Sequence, residues 1–273
     1  MARFTVLGAG GFVGKHLVKY LQRKGHEVSA IVRSDPPACD RPLGHPVFCI
    51  GLTTDYWKRP FDTAEAHVCA LLPVLRRASF ESLVYLSSTR LYDGLEGITD
   101  ETSDLRVNPQ NPRHVYDLSK ALGEALLHQA GPAGKVARLA NVYDDRLDRD
   151  DFLCRTIRQA LRANSLQVDA AANGGRDCIH IDDVCTAVEA IALRGRQSTY
   201  NVATGNIFTN RQLAQLCERV VQCRVTFAAG SASRPPTIDV SRLHDELGIR
   251  PLDAARRLPG ILAALAAERI PGA

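Results

Sequence analysis

The stretch Arg3-Phe4-Thr5-Val6-Leu7-Gly8-Ala9-Gly10-Gly11-Phe12-Val13-Gly14 decides the fold. Residues 3–7 read as a buried strand, and a helix from about Phe12 to Arg23 follows the glycines directly. Gly25-His26-Glu27 closes that helix and Val28–Val32 is a second strand, so the order is the start of a βαβ unit. Gly8 makes the tight turn, Gly11 lets backbone approach a pyrophosphate, and Gly14 permits close helix–strand packing. Gly8, Gly10, Gly11, Phe12, Val13 and Gly14 are therefore candidate dinucleotide-binding residues, with the amides at the helix start facing the phosphates. At the end of strand two stand Val32-Arg33-Ser34-Asp35. Arg33 suits the 2′-phosphate of NADP, with Ser34 donating to it; alternatively Asp35 reaches the ribose of NAD, so the cofactor is NADP or NAD.

Working outward, Val47–Ile50 is a short third strand after a Pro-rich loop, and Leu83–Ser87 is a clear strand ending in hydroxyl residues. Between them the pattern is ambiguous: residues 63–78 suit a helix, or His67–Leu72 a strand interrupted at Pro73. Pro109–Pro112 precedes a helix ending near Gly131, and Lys135–Leu139 is again a strand. Helices over Phe152–Arg162, Asp183–Leu193 and Gln212–Val221 alternate with β segments at 179–181, 200–202 and 224–227; Asp182 or Asp183 is the expected cap of the second helix. This alternation predicts an α/β chain: a doubly wound, Rossmann-type parallel sheet with a small C-terminal lobe. Residues 1–165 would form mainly the nucleotide domain, and 166–273 mainly the substrate lobe, with segments returning to the core.

Tyr116 and Lys120, in Tyr-Asp-Leu-Ser-Lys, lie one helical turn apart on the same side. Oxidising a carbinol needs a base at its hydroxyl, and reducing a carbonyl needs an acid there. Free tyrosine, with a pKa of about 10, is a poor neutral-pH base, so a nearby ammonium and a nicotinamide ring are expected to lower it. Ser88, leaving the carboxyl end of a strand, can bond the reacting oxygen. Ser88, Tyr116 and Lys120 are the candidate catalytic set.

Composition narrows the remaining classes. The 273 residues are 45% hydrophobic, enough for a full core. Net charge +4 from 34 basic and 30 acidic residues is spread along the chain and disfavours an extended nucleic-acid face. The 8 cysteines show no CxxC or paired metal spacing, which predicts free thiols, a reducing cytoplasmic compartment and no metal. The opening strand predicts no signal peptide, and the short apolar runs predict no membrane span.

With these motifs in order, the chain resembles the extended short-chain dehydrogenase/reductases, especially nucleotide-sugar epimerases and dehydratases. The resemblance rests on the glycine fingerprint, Leu83–Tyr92, Tyr116–Lys120, Leu139–Tyr143, Arg176–Val184 and Tyr200–Gly205. It implies Ser88 as hydroxyl partner, Tyr116 as acid/base and Lys120 as its tuner, with Leu86, Tyr116 and Lys120 also on the cofactor side. Ser88, Thr89, Asn141, Arg176 and Arg234 would face a nucleotide sugar, the two arginines near phosphate. The resemblance also implies a homodimer. Where water-eliminating relatives carry an Asp-Glu pair, this chain has Thr89-Arg90, which disfavours dehydration and leaves epimerisation or simple NADPH-dependent ketone reduction, with a catalytically impaired nucleotide-binding sensor or interaction protein as the alternative of a different class. Between strand three and the strand ending at Ser88 the chain is short by about 30 residues, roughly one βαβ unit. Leu52 stands where relatives place an Asp, and simple loss would remove the fourth strand beside the first: either His67–Leu72 supplies it or the sheet is remodelled.

Overall fold

The computed structural model describes residues 1–32, 35, 41–228 and 234–268. Strand β1 (Arg3–Leu7) runs into helix α1 (Phe12–Arg23) and then β2 (Glu27–Ile31), as the opening stretch dictates. Strands β3 (His45–Phe48) and β4 (Leu83–Ser88), with Gly134–Leu139 and Thr199–Val202, complete a six-stranded sheet. Every pairing is parallel, in the order Thr199–Val202, Gly134–Leu139, β4, β3, β1, β2.

Period-2 alternation assigns the two faces. Val84, Leu86 and Ala137 point to one side, where α1 and the helix Ile181–Arg194 supply Leu17, Leu21, Val184 and Val188. Leu83, Tyr85 and Val136 point to the other, where Leu71, Val74 and Leu127 cover them. The sheet is wound on both sides, as expected.

The expectation about the shortened region needs correcting. The third strand is His45–Phe48 rather than 47–50, and it does not lie outside β2. It pairs with β1 on one edge (Val6↔Val47) and with β4 on the other (Val47↔Val84). The central place feared lost is therefore filled by the third strand itself, and β2 becomes the sheet's edge. The cause is chain length before His45, not after Gly51. A parallel crossover needs a dozen or more residues. Residues 32–44 suffice for one crossover, from β2 past β1, but not for an extra strand with two.

Residues 51–80 take the helical option. A short helix Pro60–Ala64 passes through a π turn, Glu65–Cys69, into a helix Leu72–Arg77. Pro73 sits in the first turn of that last helix, where its missing N–H costs nothing.

The lobe has its own apolar cluster, built from the helices Phe152–Ala160, Asn210–Val221 and Ala254–Ala267. Around it Ser165–Val168 pairs with Arg224–Phe227, and Gly175–His180 lies between Ile207–Thr209 and Asn141–Tyr143. The helix Ile181–Arg194 is capped by His180, whose ring accepts the Asp182 amide, not by either aspartate. Among the described residues no helix is long and apolar enough to cross a membrane.

Candidate functional site

At the glycine turn, the Gly8 and Ala9 amides both donate to Ile31 O, at 2.9 and 3.0 Å, tying the turn to β2. Gly8 has φ +88°, and a Cβ there would come within 2.9 Å of Ile50 N. At Gly14 a Cβ would run into the Gly8 carbonyl oxygen. Both positions are thus closed to larger residues by backbone. Gly11 caps α1 without a side chain, and no acidic residue occupies the first turn, so the helix start is fitted to an anion. Gly10, Phe12 and Val13 lie in the same turn and helix start. Arg33 and Ser34 lie outside the described residues, so the reading that chose between the two dinucleotides has no structural counterpart. Asp35 accepts the Val32 amide at 2.9 Å.

The second half of the site forms where the helix Val115–His128 lies on β4. Ser88 ends β4 and accepts the Arg90 amide at 3.2 Å, starting the 3-10 turn Thr89–Tyr92. Tyr116 and Lys120 are both buried under that strand end. Lys120 Nζ donates to Leu86 O at 2.8 Å and lies 4.7 Å from the Tyr85 ring centre. Gly51 follows β3 so closely that a Cβ there would stand 3.5 Å from Lys120 Nζ. Ser88, Thr89, Leu86, Tyr116 and Lys120 therefore meet at the carboxyl ends of the strands, where open α/β sheets place their ligands.

Burial dominates the electrostatics of the pair. Burial pushes the Tyr116 phenol up to about 12, opposed by its hydrogen bond with Ser88 and by the Arg90 charge. Burial lowers Lys120 to about 7, opposed by Glu124. On Tyr116 desolvation outweighs the opposing charge of Arg90. The guanidinium lies 5.5 Å from the Tyr116 ring centre and 4.7 Å from that of Tyr56. Its Nε donates to Asp117 Oδ1 at 3.0 Å.

His67 is a participant the sequence reading assigned only to a helix or strand. The π turn buries it completely, with its ring edge-on to Tyr116 at 5.1 Å. The Leu52 amide donates to Nε2 at 3.2 Å, so Nδ1 carries the proton and donates to Ser119 Oγ at 2.8 Å. Ser119 in turn donates to Tyr116 O at 2.9 Å. This relay fastens the loop after β3 to the Tyr116 helix. Burial, then the Lys120 charge, hold the imidazole down at about 2 from an ordinary 6.5. Below pH 6.5 the unfolded chain therefore takes up a proton that the folded chain refuses, and stability falls as pH drops toward 2. Urea unfolding across that window should show a shallower pH slope in His67→Gln than in the parent chain; equal slopes would contradict the buried neutral ring.

The outlying candidates are less closely drawn in. Asn141 Nδ2 lies 3.8 Å from Cys178 Sγ, at the start of its strand. Arg176 is largely exposed and pairs with Asp93 at 3.5 Å, whereas Asp177 is taken up by Thr204 and Gly205. Arg234 is exposed, and among the described residues no side-chain partner joins it to the others. Arg90, Asp117 and His67 were the residues missed; only the replacement of a carboxylate by Arg90 left a mark in the sequence.

Comparison with known proteins shows the family and the fold. The family described as NAD dependent epimerase/dehydratase matches residues 4–203. UDP-glucuronic acid decarboxylase 1 of Arabidopsis thaliana is 25% identical over 287 residues, which cover 91% of this chain and 66% of that protein. Among solved structures, MoeE5 in complex with UDP-glucose and NAD superposes with TM-score 0.79 at 21% identity, covering 98% of this chain and 100% of that one. RMD from Pseudomonas aeruginosa, complexed with NADPH, gives TM-score 0.78 at 24% identity over 99% and 100% of the two chains.

Proposed function

Because the chain belongs to the NAD-dependent epimerase/dehydratase family, we propose that it epimerises a nucleotide-linked sugar through a transient ketone, using NAD or NADP. The observation that carries the reading is the meeting of Ser88, Tyr116 and Lys120 at the carboxyl end of β4, beside a helix start fitted to a diphosphate. The backbone-closed positions Gly8 and Gly14 suit the dinucleotide, which would be held by the first turn of α1. When bound, the dinucleotide supplies a reversible two-electron acceptor for a carbon-bound hydride.

Within that site Tyr116 takes the proton of the sugar hydroxyl as the carbon is oxidised and returns it when the ketone is reduced on its other face. Ser88 bonds the same oxygen and shares its proton. Lys120 orients the ribose and adds charge when protonated. Thr89 and Arg90 offer no carboxylate for eliminating water, and Asp117 is engaged by Arg90. Asn141 and Arg176 would meet the nucleotide sugar, Arg176 turning from Asp93 to a phosphate oxygen; Arg234 would close on it from the loop before Thr237.

The same reading includes a homodimer, supported by exposed Leu122 on the Tyr116 helix and exposed Phe61 on the helix packed beside it. A reducing cytoplasmic setting is supported by the free thiols of all seven described cysteines.

The test is a screen of NAD and NADP with UDP-, GDP- and dTDP-sugars, run in heavy water. Epimerisation by return of the abstracted hydride gives an inverted sugar with no solvent deuterium on carbon. Deuterium on a ring carbon, or no turnover with any pair, would sink the proposal.

A further inference from the structure

Resting on that reading, we propose that Arg90 receives a carboxylate on the sugar, so that the substrate is a nucleotide-linked uronic acid. The 3-10 turn after Ser88 folds Arg90 back over Tyr116, beside the point where the reacting hydroxyl must meet Tyr116 and Ser88. Asp117 holds the guanidinium by Nε alone, which fixes its plane. Both Nη nitrogens are without a hydrogen-bond acceptor among the described residues, although only 27% of the side chain is exposed. Tyr56, stacked 4.7 Å from the same guanidinium, is also buried with its hydroxyl unpartnered. Asp93, the other anion near Arg90, is engaged by Arg176.

The two Nη nitrogens form a fork that matches a planar group with two anionic oxygens, which a neutral hydroxymethyl cannot reproduce. Arg90 lies 5.5 Å from the centre of the same Tyr116 ring that meets the reacting oxygen, so a substituent on the adjacent ring carbon would be the group set against it. The ion pair stabilises the carboxylate and is lost when the group leaves as neutral carbon dioxide, with the pair of the broken carbon–carbon bond staying on the ring carbon. The acid is therefore retained, and inversion is favoured over decarboxylation.

The full chain loaded with NAD is titrated calorimetrically with UDP-glucuronic acid and with UDP-glucose. Hydrogen bonds to a charged group predict that the acid binds about 10- to 100-fold more tightly. Arg90→Gln should bring the two affinities together, and Arg90→Lys should keep part of the difference. Should Arg90→Gln fold poorly with Asp117 unpaired, Arg90→Gln/Asp117→Asn restores local neutrality and serves the same comparison. Equal affinities in the parent chain, a preference surviving loss of Arg90, or a UDP-pentose formed from UDP-glucuronic acid would each overturn the proposal. If UDP-glucose, UDP-glucuronic acid and UDP all fail to bind, the nucleotide-sugar reading itself falls, and this one with it.

Discussion

Tyr116→Phe should lower the rate of sugar inversion by about 10²–10⁴-fold while leaving dinucleotide affinity nearly unchanged. The change removes one oxygen and keeps the ring that packs between Tyr56, His67 and Arg90. It leaves the reacting hydroxyl without a proton acceptor, and Ser88 cannot substitute, because an aliphatic hydroxyl is a far weaker acid than a phenol and does not ionise to serve as a base. Single-turnover assays by nucleotide-sugar chromatography, with NAD binding followed in parallel, check this. A loss of less than tenfold would mean that the proton leaves by another route. Because Tyr116 is held up at about 12 before a nicotinamide ring adds its charge, the parent chain's rate should also rise with pH through the neutral range.

The largest stability effect is expected away from the reacting atoms, at Arg138. Its side chain is buried in the strand next to β4 and donates through Nε and Nη2 to Glu124, the latter bond to Oε2 being 2.7 Å long. Nη1 donates to the Tyr92 hydroxyl at 2.8 Å, which donates to Asn201 Oδ1 at 2.8 Å. The Asn201 amide then donates to Glu101, so one network joins the Tyr116 helix, the turn after Ser88 and the last strand of the sheet. Arg138→Met strands the Glu124 carboxylate in the interior, which costs about 3–5 kcal/mol. Adding Glu124→Leu should recover most of that loss, since an apolar pair of similar volume is nearly neutral against a buried ion pair. Denaturant unfolding of the single and double variants measures both. Equal losses in the two would show that the cost lies in packing rather than in the isolated charge.

Much of the site was legible because its signals are local. The glycine turn is a constraint between neighbours, and the Tyr116–Lys120 spacing is a property of one helix. Arg138 was not legible: in sequence it is one residue of a strand, and its importance comes from Glu124, Tyr92 and Asn201 arriving from three other elements. His67 was hidden for the same reason. Nothing in Glu65–Cys69 announces a π turn, and the partners that fix its tautomer, Leu52 and Ser119, are contributed by distant segments. The upward push of burial on Tyr116 was hidden too, because spacing along a helix carries no information on desolvation.

The sequence by itself determined that the chain begins as a βαβ unit with a phosphate-fitted helix start, and that a hydroxyl, a tyrosine and a lysine follow in an order suited to moving a proton with a hydride. Period and spacing carry that information, because both act within a few residues. Tertiary structure alone decided that His45–Phe48 takes the place beside β1, that residues 51–80 become the brace holding Tyr116, and that Arg90 is laid over the phenol ring. The physical reason is the same in each case. Strand pairing, desolvation and charge contacts are set by which distant residues meet, and those meetings exist only once the sheet has closed.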